Sequence, residues 1–322
     1  MERLAMALML VAAFGSSIGG IATPVGTPPN LIGIGILGRT AGIHISFFGW
    51  MLLGVPLAAL LFAYLVLYFR TVSLRGGRLK IGGPTIAAGE LRELGRLSRA
   101  QLNVLFAFGI TISLWLTPGI LAVAGAGDSA FAQAFNASVP ESVAAILGAL
   151  LLFVLPVDWQ ERRFTLRWEE AVRIDWGIIL LFGGGLSLGG LAFSTGLAEA
   201  VGHGILALVP ARSPLAFTMI FTALAILTTE VASNTASAIM IVPIAIAVAE
   251  AAGVRPLEPA VGATLGASMA FMMPISTPPN AIAYSSGYVP ITSMIRHGLA
   301  LDAFAFVAIV TLVTLLAPFL AG

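Results

Sequence analysis

Long apolar runs separated by short polar segments dominate the chain. Seven runs are long enough to cross the ~30 Å hydrocarbon core of a bilayer, and we predict spans at about 4–22, 44–69, 101–118, 141–157, 176–196, 258–275 and 298–320. Two shorter apolar runs lie at 214–229 and 236–251. The pattern predicts an all-α protein that crosses a membrane several times.

The composition narrows the class of protein further. Hydrophobic residues make up 58% of the 322 residues and charged residues 10%, whereas soluble domains carry about 25% charged residues. A soluble fold of this size could not bury so much apolar surface, and a net charge of +1 provides no basic excess for binding nucleic acid. The lack of cysteine and the presence of only three histidines argue against thiol catalysis and a zinc or haem centre. We therefore expect a membrane protein that is not an enzyme and needs no organic cofactor.

The basic residues predict the orientation in the membrane. Seven Lys and Arg residues lie between 70 and 100 and four between 157 and 175, while the loop at 119–140 has none. Because cytoplasmic loops are enriched in Lys and Arg, we place the loops 70–100 and 157–175 in the cytoplasm of a plasma-membrane protein, with the C-terminus outside. Leu91, Leu94 and Leu97 alternate with charges, which predicts a surface helix at 85–99 or an ordinary solvated loop helix.

A four-residue motif occurs twice. Thr27-Pro28-Pro29-Asn30 and Thr277-Pro278-Pro279-Asn280 stand 250 residues apart, each within a predicted apolar crossing. A double proline removes two backbone donors and interrupts a helix, and such a break survives in a membrane only inside protein or against a polar cavity. The orientation gives the two crossings opposite directions. Paired breaks of opposite direction indicate an inverted-repeat transporter with its binding site at the breaks; the alternative is two proline kinks without a ligand.

The two short apolar runs flank a polar segment. Each run has about 16 residues and would reach only ~24 Å as a helix, and seven of the ten side chains at 228–237 are polar. We interpret the pair as a re-entrant hairpin entering from outside, although two tilted full spans would return the chain to the same side. The Ser, Thr and Asn side chains at the turn could hold a small anion and a cation, or cap the two helices.

These motifs resemble the divalent anion:sodium symporter (DASS) family of sodium/dicarboxylate and sodium/sulfate transporters. The resemblance rests on Ser233-Asn234-Thr235, on Asp175-Trp176 leading to Gly183-Gly184-Gly185, and on both Thr-Pro-Pro-Asn motifs. It implies an elevator-type homodimer in which a transport domain slides against a scaffold. It also implies an anion site formed by Ser233, Asn234, Thr235, Thr277 and Pro278, with Thr27 and Pro28 opposite. The sodium ligands that it implies are Thr229, Ala232, Asn234 and Ser276, with Gly26 serving a first sodium site. Supporting roles would fall to Glu230, Asn30 and Asn280.

The resemblance also predicts how the chain is divided. Residues 1–43 would end the first repeat, 44–212 would form mainly scaffold spans, 213–297 would hold the hairpin and the second broken helix, and 298–322 the final span. The family carries two Ser-Asn-Thr hairpins, and this sequence has one. Asn234 precedes Thr277 by 43 residues, so a matching first tip would precede residue 1. We therefore expect an N-terminally incomplete transporter that is poorly stable and inactive by itself.

The combined expectation is sodium-coupled uptake of small divalent anions, most readily C4-dicarboxylates. No Lys or Arg lies near the hairpin turn or either break, which favours neutralisation of a dianion by bound cations and helix dipoles. Sulfate is the alternative substrate. Two further interpretations are an ion or proton antiporter with Glu230 as the carrier and an inactive remnant of a transporter.

Overall fold

The computed structural model describes residues 2–73, 96–174, 176–208 and 213–320. The chain divides into two compact units, one of residues 1–75 with 177–322 and the other of residues 76–176. The larger unit begins with α1 (Glu2–Ile21), α2 (Pro28–Thr40) and α3 (Phe47–Tyr68), and α3 continues into a π-helical turn at Phe69–Ser73. Ser46 caps α3 by accepting a hydrogen bond from the Gly49 amide.

The smaller unit holds three longer helices and a short hairpin. These are α4 (Arg99–Val123), α5 (Ala130–Ser138), α6 (Glu141–Val154), β1 (Pro156–Asp158), β2 (Arg163–Phe164) and α7 (Trp168–Ala171). The antiparallel strands add a small β element to the predicted all-α class. In their turn, Asp158 Oδ1 accepts hydrogen bonds from the amides of Gln160 and Glu161 at 2.9 and 3.1 Å. The Glu161 and Gln160 amides hold the pKa of this exposed carboxyl below its usual value.

The rest of the larger unit is also helical in the residues described. Its elements are α8 (Trp176–Ser194), α9 (Leu197–Leu208), α10 (Pro214–Val231), α11 (Asn234–Ala251), α12 (Leu257–Gly266), α13 (Pro278–Ser285), α14 (Ile291–Leu316) and a 3₁₀ turn at Ala317–Phe319. The apolar core of this unit combines α1, α3, α10, α11, α12 and α14. Phe14 of α1 meets Phe271 edge to face with ring centroids 5.2 Å apart, so residues far apart in sequence share one core.

The predicted multi-span class is confirmed. Six of the described helices are long and apolar enough to cross a membrane, and the pair α5 and α6, bent by 64°, makes a seventh candidate. Many large apolar side chains of these helices are exposed, including Phe62, Leu227 and Leu315. Lipid-facing helices retain such side chains because the bilayer offers an apolar solvent.

Some predicted boundaries differ from the structure. The arms α10 and α11 each have 18 residues, not about 16, because α10 continues past Thr229 to Val231 and α11 begins at Asn234 rather than at 236. Both arms count among the candidate spans, so their length no longer favours a re-entrant hairpin, which stays a prediction. Helix α12 ends at Gly266 rather than at 275. Most of the predicted surface helix at 85–99 lies outside the described residues.

Two breaks interrupt the helices where the double prolines occur. The first break (residues 22–27) separates α1 from α2, and the second break (residues 267–277) separates α12 from α13. Thr27 and Thr277 are extended and precede helices with proline in their first turn. Proline fits there because the first-turn amides have no partner within the helix. The Thr-Pro-Pro motif therefore starts the second half of each broken helix.

Two glycines allow helices to lie directly on the breaks. A Cβ on Gly54 of α3 would stand 2.7 Å from the Ile21 carbonyl oxygen, and a Cβ on Gly298 of α14 would overlap the Phe271 carbonyl. Trp50 Nε1 donates to the Ile21 carbonyl at 3.0 Å. These contacts group α3 with the broken helices. The sequence analysis instead places residues 44–69 among the scaffold spans. The division into transport and scaffold domains stays a prediction.

Candidate functional site: a polar cavity between the breaks and the hairpin turn

Each break is held by a pair of hydrogen bonds from the Asn of its motif, and the two pairs are equivalent in sequence spacing. Asn30 Nδ2 donates to the carbonyls of Thr23 at 2.8 Å and Gly20 at 3.4 Å. Asn280 Nδ2 donates to the carbonyls of Met273 at 3.1 Å and Ala270 at 3.0 Å. Both asparagines are fully buried, and their partners lie seven and ten residues upstream in each case. An unwound segment inside a membrane needs partners for its freed carbonyls, and the Asn of each motif provides them.

The hairpin turn between α10 and α11 consists of Ala232 and Ser233. Ser233 caps α11 because its hydroxyl accepts a hydrogen bond from the Ala236 amide at 3.2 Å. The predicted capping role is thus present at this turn.

Three oxygen atoms meet beside the turn. The Thr229 hydroxyl oxygen lies 2.8 Å from Asn234 Oδ1 and 2.8 Å from the Ala267 carbonyl oxygen. A hydroxyl has one proton and can donate it to only one of these acceptors at a time. The cluster therefore has more hydrogen-bond acceptors than donors. A cation bound here could interact with the acceptor oxygen that is left without a donor.

Glu230 holds the second break to the hairpin. Its Oε1 accepts from the amides of Phe271 and Met272 at 2.8 and 2.9 Å. Its Oε2 accepts from the Met273 amide and the Ser276 hydroxyl, both at 3.0 Å. Glu230 is 3% exposed. The carboxyl group of Glu230 thus accepts four hydrogen bonds from the second break, so this acid braces an unwound segment.

A cavity of about 350 Å³ lies between the two breaks and the hairpin turn. Among the described residues, its lining contains hydroxyls, an amide, glycines and prolines, and no charged side chain: Ser16, Ser17, Gly20, Gly26, Thr27, Pro28, Ser233, Asn234, Thr235, Ser268, Ser276, Thr277, Pro278 and Pro279. The residues that precede α2, α11 and α13 are all in this lining, since Thr27, Ser233 and Thr277 are their N-cap residues. Three helix N-termini therefore open onto one cavity, and each carries partial positive charge.

The structure brings together most residues that the sequence singled out. Nine of the predicted site residues line the cavity: Gly26, Thr27, Pro28, Ser233, Asn234, Thr235, Ser276, Thr277 and Pro278. Thr229 contacts Asn234 beside it, and Ala232 is in the turn. The supporting residues Asn30, Glu230 and Asn280 hold the breaks and are absent from the lining. Their contacts agree with a supporting role, while ligand binding by the other residues stays a prediction.

Sequence reasoning missed several polar residues of the site. Ser16, Ser17 and Ser268 line the cavity, and the Ala267 carbonyl joins the oxygen cluster through Thr229. The Ser268 hydroxyl is buried without a hydrogen-bond partner among the described residues. Ser16 and Ser17 are polar residues one to two helical turns before the first break, and this position could have predicted their place in the lining. Nothing in the sequence marks the Ala267 carbonyl, since every residue has one.

Comparison with known proteins identifies the family. The profile described as "Sodium:sulfate symporter transmembrane region" matches residues 1–321. A sodium-dependent dicarboxylate transporter SdcS of Staphylococcus saprophyticus is 33% identical over 319 residues, covering 98% of this chain and 60% of that protein. The transporter of the same name from Staphylococcus aureus is 33% identical over 323 residues, covering 100% of this chain and 60% of that protein. The chain thus spans about 60% of the length of these curated relatives. Because the profile covers nearly every residue, the chain belongs to the sodium:sulfate symporter family, the divalent anion:sodium symporters that its motifs resemble.

Proposed function

We propose that this chain forms the binding region of a sodium-coupled transporter that takes up small divalent anions, with C4-dicarboxylates as substrates. The observation that carries the proposal is the convergence of three helix N-termini, at Thr27, Ser233 and Thr277, on one cavity whose lining has no charged side chain in the part of the chain that the structure describes. The dicarboxylate preference follows the names of the two relatives, and the volume of about 350 Å³ suits a small ligand.

In this proposal the anion binds across the cavity. Helix N-termini attract carboxylates through the dipole and through amides without a partner in the helix. Proline at the start of α2 and α13 removes backbone amide donors there. The Thr27 and Thr277 hydroxyls therefore donate hydrogen bonds to the anion in place of some of those amides. At α11 the Asn234 and Thr235 side chains complete the set. One carboxylate would lie against α11 and the other against the breaks.

The coupling cation binds at the oxygen cluster of Thr229, Asn234 and Ala267. Neutral hydroxyl, amide and carbonyl oxygens at helix ends are the ligands that sodium takes in transporters with broken helices. The carbonyl of Ala232 and the hydroxyl of Ser276 are the further ligands that the family resemblance suggests. Glu230 stands next to Thr229 in sequence and holds the second break beside this cluster without lining the cavity.

Sulfate is a second candidate substrate because the matching family profile is described as a sodium:sulfate symporter. Hydroxyls and helix N-termini can hold either dianion. An antiporter mechanism is less favoured, since the Glu230 carboxyl is bonded to the second break and is absent from the cavity lining.

The larger assembly also belongs to this proposal. We place the loops 70–100 and 157–175 in the cytoplasm, following the Lys and Arg distribution. The homodimer and the elevator movement are taken from the family resemblance. The protein is proposed to act in the plasma membrane.

Uptake into proteoliposomes tests the function. A complete transporter that contains this chain as its binding region should accumulate labelled succinate when an inward sodium gradient is applied, and potassium should not replace sodium. Unlabelled sulfate in excess then tests the second substrate, since strong competition by sulfate together with weak competition by fumarate would favour a sulfate transporter. Succinate uptake that is equal in sodium and potassium would contradict sodium coupling.

A further inference from the structure

Ser268 is a buried serine of the second break whose hydroxyl has no partner. The residue lines the cavity and is 2% exposed, and its Oγ makes no hydrogen bond to any of the described residues. A buried polar group left in this way is unfavourable, and in native structures it is often the partner of a bound ion or water. The Ser268 hydroxyl therefore needs a partner that the described residues do not provide.

The other hydroxyls of the cavity lining differ from that of Ser268. Ser233 and Thr277 cap the helices that they precede. The Ser276 hydroxyl is bonded to the carboxyl group of Glu230. The remaining hydroxyls belong to residues that are not buried and can therefore be hydrated: Ser16, Ser17, Thr27 and Thr235. Within the described part of the lining, only Ser268 carries a hydroxyl that is both buried and without a partner.

Ser268 is held next to the oxygen cluster of Thr229, Asn234 and Ala267. The carbonyl of Ala267 accepts a hydrogen bond from Thr229 at 2.8 Å, and it shares one planar peptide group with the amide of Ser268. That amide donates to the Leu265 carbonyl at 3.0 Å. The backbone of Ser268 is therefore fixed beside the cluster, and its hydroxyl changes direction by moving between side-chain rotamers.

One hydroxyl can contact a cation and an anion at the same time. It has a single proton to donate, and its oxygen keeps lone pairs that can accept. Asn234 belongs to the oxygen cluster and also lines the cavity, so a cation at the cluster and an anion in the cavity would be neighbours. We propose that the Ser268 hydroxyl contacts both ligands, with its oxygen on the cation and its proton donated to a carboxylate of the anion.

This arrangement makes Ser268 a residue that couples the binding of the two ligands, and it rests on the proposed function. A cation on the oxygen directs the proton into the cavity, and an anion on the proton directs the oxygen towards the cluster. Each ligand thus favours the rotamer that the other one needs. Because coupling between two binding sites is reciprocal, loss of the hydroxyl should lower the effect of sodium on succinate affinity and the effect of succinate on sodium affinity by the same factor.

Calorimetric titration of a purified complete transporter that contains this chain measures the coupling without a transport assay. The quantity is the factor by which saturating sodium, in place of choline, raises the affinity for succinate. Ser268→Ala should lower this factor roughly fivefold, the equivalent of one neutral hydrogen bond. Ser268→Cys nearly keeps the side-chain volume but lacks the hydroxyl, so it should lower the factor in the same way.

Ser237→Ala is the matched control for these variants. The Ser237 hydroxyl is also fully buried and without a partner among the described residues, but it is absent from the cavity lining. Its loss should leave the coupling factor unchanged. An equal change in Ser237→Ala and Ser268→Ala would therefore overturn the inference, because the effect would then come from the removal of a buried hydroxyl in general.

Three further results would contradict the inference. A coupling factor that is the same in Ser268→Ala, Ser268→Cys and the parent would show that the hydroxyl joins no ligands, while the proposed function would stand. Succinate affinity that falls equally with and without sodium would limit Ser268 to the anion. A parent that binds neither succinate nor sodium, measured as thermal stabilisation by each alone, would instead contradict the proposed function and the inference with it.

Discussion

Thr229 and Asn234 face each other across the hairpin turn, with the Thr229 hydroxyl oxygen 2.8 Å from Asn234 Oδ1. The contact joins the end of α10 to the start of α11, and Asn234 also lines the cavity. The Asn234 side chain therefore links the C-terminal end of α10 to the N-terminal end of α11. This is where a bound cation and a bound anion would meet, because the two helix ends carry opposite partial charges.

In a complete transporter that contains this chain, Asn234→Ala should abolish sodium-dependent succinate uptake. The change removes an oxygen from the proposed cation cluster and an amide donor from the anion site. Losing one hydrogen bond to a charged ligand costs about 1.5–3 kcal/mol, which corresponds to roughly 10- to 150-fold weaker binding. Uptake and sodium-dependent thermal stabilisation are the measurements. Near-normal uptake with normal expression would remove Asn234 from the site.

Ser268→Ala and Ser237→Ala form a matched pair. Both hydroxyls are buried and lack a hydrogen-bond partner among the described residues, but only Ser268 lines the cavity. We expect Ser268→Ala to weaken succinate binding several-fold, on the scale of one neutral hydrogen bond of about 1 kcal/mol, and Ser237→Ala to leave binding unchanged. Equal effects of both variants on binding would show that the Ser268 hydroxyl has no direct role.

Asn30→Ala and Asn280→Ala should destabilise the protein to a similar extent. Each change removes the two hydrogen bonds that the Asn side chain donates beside a break, and an unsatisfied buried group costs about 1–3 kcal/mol. Asn136→Ala, at an exposed position of α5, is the control. Thermal unfolding in detergent measures the effect. Melting temperatures that match the control would mean that the breaks find other partners.

Gly298→Ala should disturb the second break by steric overlap. The added methyl would collide with the carbonyl carbon and oxygen of Phe271, and overpacking of this kind costs about 1–3 kcal/mol. The control is Gly183→Ala in α8, where an added Cβ meets nothing within 4 Å. We expect a lower melting temperature and weaker succinate binding for Gly298→Ala only. A Gly298→Ala protein that binds succinate normally would show that α14 can shift without cost.

Single cysteines test the predicted orientation. Ala130→Cys and Gln160→Cys introduce thiols at exposed positions into a protein that has no native cysteine. Because the Lys and Arg distribution places 119–140 outside and 157–175 in the cytoplasm, an impermeant thiol reagent should label Ala130→Cys in intact cells. Gln160→Cys should react only after the cells are opened. The opposite pattern would reverse the orientation.

The broken helices could be predicted from the sequence because their cause is local. Proline removes a backbone donor wherever it stands, so Thr-Pro-Pro-Asn marks both breaks without knowledge of the fold. The Ser-Asn-Thr turn is local in the same sense, since Ser233 caps the helix that follows it. The family itself could be recognised from these motifs.

The partners of these motifs depend on the fold and could not be predicted in the same way. The carbonyl of Ala267 lies 38 residues from Thr229, and its position results from the packing of α10 against α12. The role of Glu230 is a similar case, because its three backbone donors are amides of Phe271, Met272 and Met273. Helix lengths at the hairpin were also underestimated, since α10 continues past Thr229 to Val231 and α11 begins at Asn234 rather than at 236.

The four hydrogen bonds on Glu230 restrict how the cavity can open. A gate that lifted the hairpin turn away from the second break would strip a buried carboxylate of its donors inside the membrane. A movement that carries α10, α11 and the second break together would keep every one of these bonds. We therefore expect the hairpin turn and the second break to move together as one rigid part, and the cavity to open when that whole part is displaced against its surroundings.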